Sequence, residues 1–110
     1  MSVIMAPGEK RVFYTTVSAS LGTLTITNPT FDFQAYDRTP IATDVPATGQ
    51  DDPAASVRAW YDFDTVAPPG GGAPLQKGGL YWINWRLPVS NTADGLVRIE
   101  CPSELLIINE

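Results

Sequence analysis

Hydrophobic residues recur at every second position along most of this chain, and Pro, Gly, Asn and Asp cut the pattern into short runs. A two-residue period is the mark of half-buried strands, because successive side chains on a strand point to opposite faces. Residues 11–18 set Phe13, Thr15 and Val17 against Val12, Tyr14 and Thr16. Residues 21–27 set Leu24 and Ile26 against Thr23, Thr25 and Thr27, and after Asn28-Pro29 residues 30–36 resume with Phe31, Phe33 and Ala35 turned inward. Pro29 cannot donate to a ladder, so this stretch is expected to be two strands or one bent strand. Residues 56–65 place Val57, Ala59, Tyr61 and Phe63 on one face and Arg58, Trp60, Asp62 and Asp64 on the other.

The most aromatic run, residues 80–89, puts Tyr81, Ile83, Trp85 and Leu87 on one side and Leu80, Trp82, Asn84 and Arg86 on the other. The first set is expected to fill the core opposite Val57, Ala59, Tyr61 and Phe63, with Trp85 as its large central residue. Residues 90–95, ending in Asp94-Gly95, read as a hairpin loop that leads into a strand at 96–101. Residues 102–104 are expected to turn the chain again before a final strand at 105–109. Residues 37–55 form the longest irregular connection, with room for one short strand near 41–45. Residues 66–79, rich in Pro and Gly, read as a mobile surface excursion. Residues 1–10 look like an N-terminal arm, and residues 11–110 like a single β domain. Seven or eight short strands with frequent turns predict an all-β fold, either an antiparallel sandwich of two sheets or a small barrel.

Composition then narrows the chemistry. The chain of 110 residues has no histidine and one cysteine, so it lacks the commonest general base and metal ligand and cannot form an internal disulfide. No catalytic, cofactor-binding or metal-binding residue is assigned, and the protein is expected not to be an enzyme. Seven Lys and Arg against twelve Asp and Glu give a net charge of −5, which argues against a nucleic-acid partner. No apolar run reaches the roughly 18 residues of a membrane span. The first residues carry neither the basic segment nor the apolar stretch of an export signal, so synthesis in the cytoplasm is expected.

Several local features have plain structural readings. Asp62-Phe63-Asp64 resembles the acidic pair of nucleotide-sugar transferases, but the chain is too short for the α/β domain such enzymes need. Asp44, Asp51 and Asp52 lack the alternating spacing of a calcium loop and read as a solvated acidic turn. Gly70-Gly71-Gly72 has no Lys-Ser/Thr after it and is no phosphate loop. Cys101, late in the chain beside a proline, is expected to be a small core residue.

The outward-facing aromatics remain as candidates. Trp82 beside Trp60, were their strands neighbours, would form an exposed pair flanked by Arg58 and Arg86, the composition of a protein contact or of a sugar-stacking patch. The plain alternative is cross-strand packing in solvent, worth about 0.2–1 kcal/mol of stability.

The stretch "GGLYWINWRLPVSNTADGLVRIECPSELLIIN", with its aromatic strand, hairpin and aliphatic last strand, resembles the closing strands of the immunoglobulin-like modules in tailed-phage virion proteins. "TLTITNPTFDFQAYD" is similar to the second strand of those modules. The chain departs from the wider immunoglobulin pattern in having no cysteine pair across the sheets and an unusually long Pro/Gly segment. The resemblance implies an immunoglobulin-like β-sandwich that serves as a structural subunit at the head surface, neck or tail of a phage particle. Such a subunit is made in the host cytoplasm and then occupies the virion. Its implied partners are other virion proteins and further copies of itself, joined partly through residues 1–10 and the last strand adding to a neighbour's sheet edge. The alternative is a small carbohydrate-binding sandwich, with Trp60 and Trp82 stacking on a sugar while Arg58 and Arg86 bond its hydroxyls.

Overall fold

Ten strands and no helix occur among residues 2–109, which the computed structural model describes. In chain order they are β1 (Ser2–Met5), β2 (Lys10–Ser18), β3 (Leu24–Ile26), β4 (Thr30–Ala35), β5 (Pro40–Pro46), β6 (Gly49–Gln50), β7 (Ser56–Asp64), β8 (Leu80–Asn91), β9 (Val97–Glu100) and β10 (Ser103–Ile108). They form two sheets. The larger has the order β1-β10-β8-β4-β5, with β3 and β9 also paired to β8, and the smaller has the order β2-β7-β6. The chain is therefore all-β and two-layered, as its alternation predicts.

β8 is the spine of the larger sheet. Its first half pairs with β10 on one side and β4 on the other, and its second half pairs with β9 and β3. Each flank is one run bent at a proline. On one side β3 passes to β4 through Asn28, whose φ is 46°, and the buried Pro29; on the other, β9 passes to β10 through Pro102. The expected turn at 102–104 does not reverse the chain, because Pro102 loses an N–H yet its carbonyl still accepts from Trp85 N at 2.9 Å. β8 carries a proline of its own at the same level. Pro88 sits where β8 exchanges one pair of neighbours for the other, and its carbonyl accepts from Thr27 N at 2.9 Å. A proline is tolerated inside this central strand because its missing N–H faces the gap between β3 and β4, while the pairing with β9 runs unbroken past it.

The inner faces follow the alternation. Ile83, Trp85, Leu87 and Val89 of β8 meet Phe31 and Phe33 of β4, Val57, Ala59 and Phe63 of β7, and Phe13 of β2 in one buried cluster. Tyr61 and Tyr81 are only partly buried, at its margin. Aromatic edges bind the layers together: Phe31 meets Tyr61 at 4.7 Å and Phe33 meets Phe63 at 5.5 Å between ring centroids. Such contacts contribute beyond their buried area.

Three further expectations about the chain's course need correction. Residues 2–5 of the proposed arm form β1, which runs parallel to β10 with Met5 fully buried and Asn109 N donating to Met5 O at 2.8 Å. Ala6-Pro7-Gly8-Glu9 then carries the chain to the other sheet as a tight turn, closed by Glu9 N to Ala6 O, with Gly8 at φ 86°. Pro followed by a glycine at positive φ is what a type II turn demands. Residues 66–79 are packed across the end of the sandwich: Pro68, Pro69 and Leu75 are buried, and Gly78 N donates to Ile108 O at 2.7 Å. Cys101 is exposed, because the run from β9 lies outside the core.

Candidate functional site

The two outer faces each carry an aromatic cluster, and they are separate. Trp60 lies on β7 of the smaller sheet and Trp82 on β8 of the larger, so the side chains point away from each other across the sandwich. The joint Trp60–Trp82 patch does not form.

On the smaller sheet Tyr14 and Trp60 are directly opposite each other in the β2–β7 ladder, with ring centroids 6.0 Å apart. Arg58 lies 4.9 Å from the Tyr14 ring and 6.0 Å from that of Trp60. The Asp51 carboxylate accepts from Arg58 Nε at 2.9 Å, and this contact draws the Asp51 carboxyl below the usual carboxylate range. Trp60 rests on Gly49, where an added Cβ would come within 2.6 Å of the indole. The indole is thus half-buried on a backbone shelf that only glycine leaves open.

On the larger sheet the outer face can be read row by row from the register. Ser103, Asn84 and Asp32 form one row, Leu105, Trp82 and Gln34 the next, and Ile4, Ile107 and Leu80 the third. The first row is polar and knitted together: Asn84 donates to Gln34 Oε1 at 2.8 Å and accepts from Ser103 Oγ at 2.7 Å. The far end is apolar. Ile4 and Tyr36 are both 56% exposed and Leu80 is 37% exposed, with Leu105, Ile107 and Trp82 half-buried between them.

Trp82 joins the two ends. Its ring stacks on Tyr36 at 6.1 Å and 14°, its Nε1 donates to Tyr36 O at 3.2 Å, and the Arg38 guanidinium lies 4.1 Å from its centroid. Arg38 takes the place expected of Arg86. Arg86 shares this face but stands opposite Thr30, about 13 Å further along β8, with Asn84 between. Arg38 itself has φ 73° in the turn after β4, and its Nη1 donates to Asn84 Oδ1 at 3.3 Å. Sequence reasoning missed Ile4, Tyr36, Arg38, Leu105 and Ile107, because a face shared by four strands appears in no single window. The signal available was the outward alternation of Leu105 and Ile107 on a strand whose other face is also apolar.

Among the described residues no group of three or more His, Cys, Asp or Glu is placed to hold a metal ion. Asp64 faces Lys10 at 3.7 Å and Phe63 between the two aspartates is buried in the core. Among the described residues no helix is long and apolar enough to cross a membrane.

Glu104 is the unusual carboxylate. It lies on the inward face of β10 with Leu106 and Ile108, only 8% exposed, and burial pushes its carboxyl above the usual range. In the folded state its charge is poorly solvated, so its contribution favours folding at acid pH and weakens as pH rises from the unfolded pKa through the raised folded one. Asp51 and Asp94 have the opposite sign, since Arg58 and Arg98 hold them low and their stabilisation is lost as pH falls. Glu104→Gln should therefore stabilise the protein at pH 7 by about 1 kcal/mol, with the gain shrinking toward about pH 4. Urea titrations of both proteins at the two pH values measure this; a gain that is the same at both would contradict it.

The chain matches no family model, no curated protein and no solved structure.

Proposed function

We propose that this chain is a non-enzymatic structural subunit of a phage or phage-like particle. In this reading it is an immunoglobulin-like sandwich at the head surface, neck or tail that works through assembly contacts with other virion proteins. The observation that carries the reading is the apolar end of the larger sheet's outer face, where Ile4, Tyr36 and Leu80 stand exposed around Trp82. A patch of this kind, continuous across four strands and bordered by a hydrogen-bonded polar row, is what a protein-contact surface requires. The resemblance of the closing strands to virion modules supplies the setting. The carbohydrate alternative loses its double platform, since Trp60 and Trp82 lie on different sheets and Trp82 already contacts Tyr36 and Arg38.

The test is composition of the particle. Purified particles from a host carrying the gene should contain the chain by mass spectrometry, and Leu80→Asp should leave it folded but missing from the particle. Particles that lack the wild-type chain, or incorporate Leu80→Asp at full occupancy, would sink the proposal. Glycan-array binding abolished by Trp82→Ala would favour the sugar reading instead.

A further inference from the structure

The edge strands of the two sheets are unequal. β5 begins and ends with proline, carries register shifts against β4 and has Asp44 at φ 51°, all of which spoil it as a template. β1 and β9 have four residues each, β3 three and β6 two. β2 has nine residues, no proline, and an unbroken register with β7 from Lys10 to Ser18. Nothing guards it.

The ladder shows which of its groups are free. Thr65 N donates to Glu9 O and Ala19 N to Ala55 O, so the odd-numbered residues between them bond to β7 and the even ones face away. Lys10, Val12, Tyr14, Thr16 and Ser18 therefore present their N–H and C=O groups to solvent. Val12 and Tyr14 add exposed apolar side chains on the outer face. Beside this edge run two adjoining grooves, of about 430 Å³ and 300 Å³, whose far wall is the run from Glu100 to Glu104.

We infer that β2 pairs antiparallel with β2 of a second copy of this chain about a two-fold axis through Tyr14. The strand is complementary to itself in that register. Tyr14 meets Tyr14, Val12 meets Thr16 and Lys10 meets Ser18, so every outward-bonding residue faces another and no like charges are opposed. The same register sets the partner's Arg11 opposite Val17, at the end of the larger groove where Glu100 lies. Arg11, already paired with its own Glu9, thereby gains a second carboxylate. The two small sheets become one six-stranded sheet, with the Tyr14–Trp60 clusters meeting at its centre. This surface is distinct from the outer face of the larger sheet, so its test stands or falls separately from the particle test.

Sedimentation equilibrium of the full chain at up to about 100 µM should show a monomer–dimer equilibrium. Thr16→Pro should weaken the dimer by roughly tenfold or more, because symmetry removes two edge hydrogen bonds at once while the β7 ladder is untouched. In a Cys101→Ser background, Tyr14→Cys should be joined across the axis by a short thiol cross-linker, since paired Cα atoms there stand about 5.5 Å apart. Thr16→Cys, displaced from its own symmetry mate, should not. A strictly monomeric chain, or a dimer in which Thr16→Cys links as readily as Tyr14→Cys, would overturn the inference.

Discussion

Trp85→Ala is expected to cost about 3–5 kcal/mol of folding stability, the largest loss of any single truncation in this chain. Trp85 has the bulkiest side chain of the fully buried set and lies mid-way along β8, paired with Phe31 of β4 on one side and held by the Pro102 carbonyl on the other. Its ring packs 5.2 Å from that of Phe31, which in turn meets Tyr61 of the other layer. Alanine would leave a cavity between two sheets whose hydrogen bonds hold their spacing, so collapse cannot fill it. Small domains hold only about 5–15 kcal/mol in total, and this loss would leave the fold marginal. Trp85 Nε1 is buried without a hydrogen-bond partner. Trp85→Phe removes that stranded donor while retaining most of the packing, so it should cost far less than alanine. Urea denaturation of the three proteins gives the comparison; equal losses for Phe and Ala would show that ring volume is not what the site uses.

The second large effect concerns the start of the chain. Met5→Ala should destabilise by about 2–5 kcal/mol, and removal of residues 2–5 by at least as much. Met5 is fully buried and Val3 packs against the same core, while the parallel pairing of β1 covers Leu106 and Ile108. Deletion uncovers those side chains as well as an edge of backbone. An accessory arm would predict no change in melting, so a thermal scan of the truncated protein separates the two outcomes cleanly. It also limits what truncation can say about assembly, because a shortened chain that fails to associate will have lost its fold first.

Alternation made the inward sets of β2, β4, β7 and β8 readable, because each of these strands has one face in the core and one in solvent. It failed where burial does not alternate visibly. In β1, Val3 and Met5 face inward beside an outward Ile4, so three consecutive apolar residues conceal the period. The type II turn signal at Pro7-Gly8 was present, and it marks the end of a strand rather than the end of an arm. β6 is two residues long and has no pattern to read. For the candidate site the limit was pairing. Sequence places Trp60 and Trp82 outward correctly, yet only strand order assigns them to opposite surfaces and brings Arg38 rather than Arg86 to Trp82.

The parallel contact between β1 and β10 also constrains how the protein is born. Ser2 lies opposite Leu105, almost the whole chain length away, and the loop between must close before either residue gains its neighbour. On the ribosome β1 has no partner until the last strand has been synthesised and released from the exit tunnel. The nascent chain can assemble the β2–β7 ladder early, but its larger sheet must wait, with an apolar first strand exposed in the meantime. Completion of the larger sheet therefore waits for β10, and β1 can dock only once that strand is available to it.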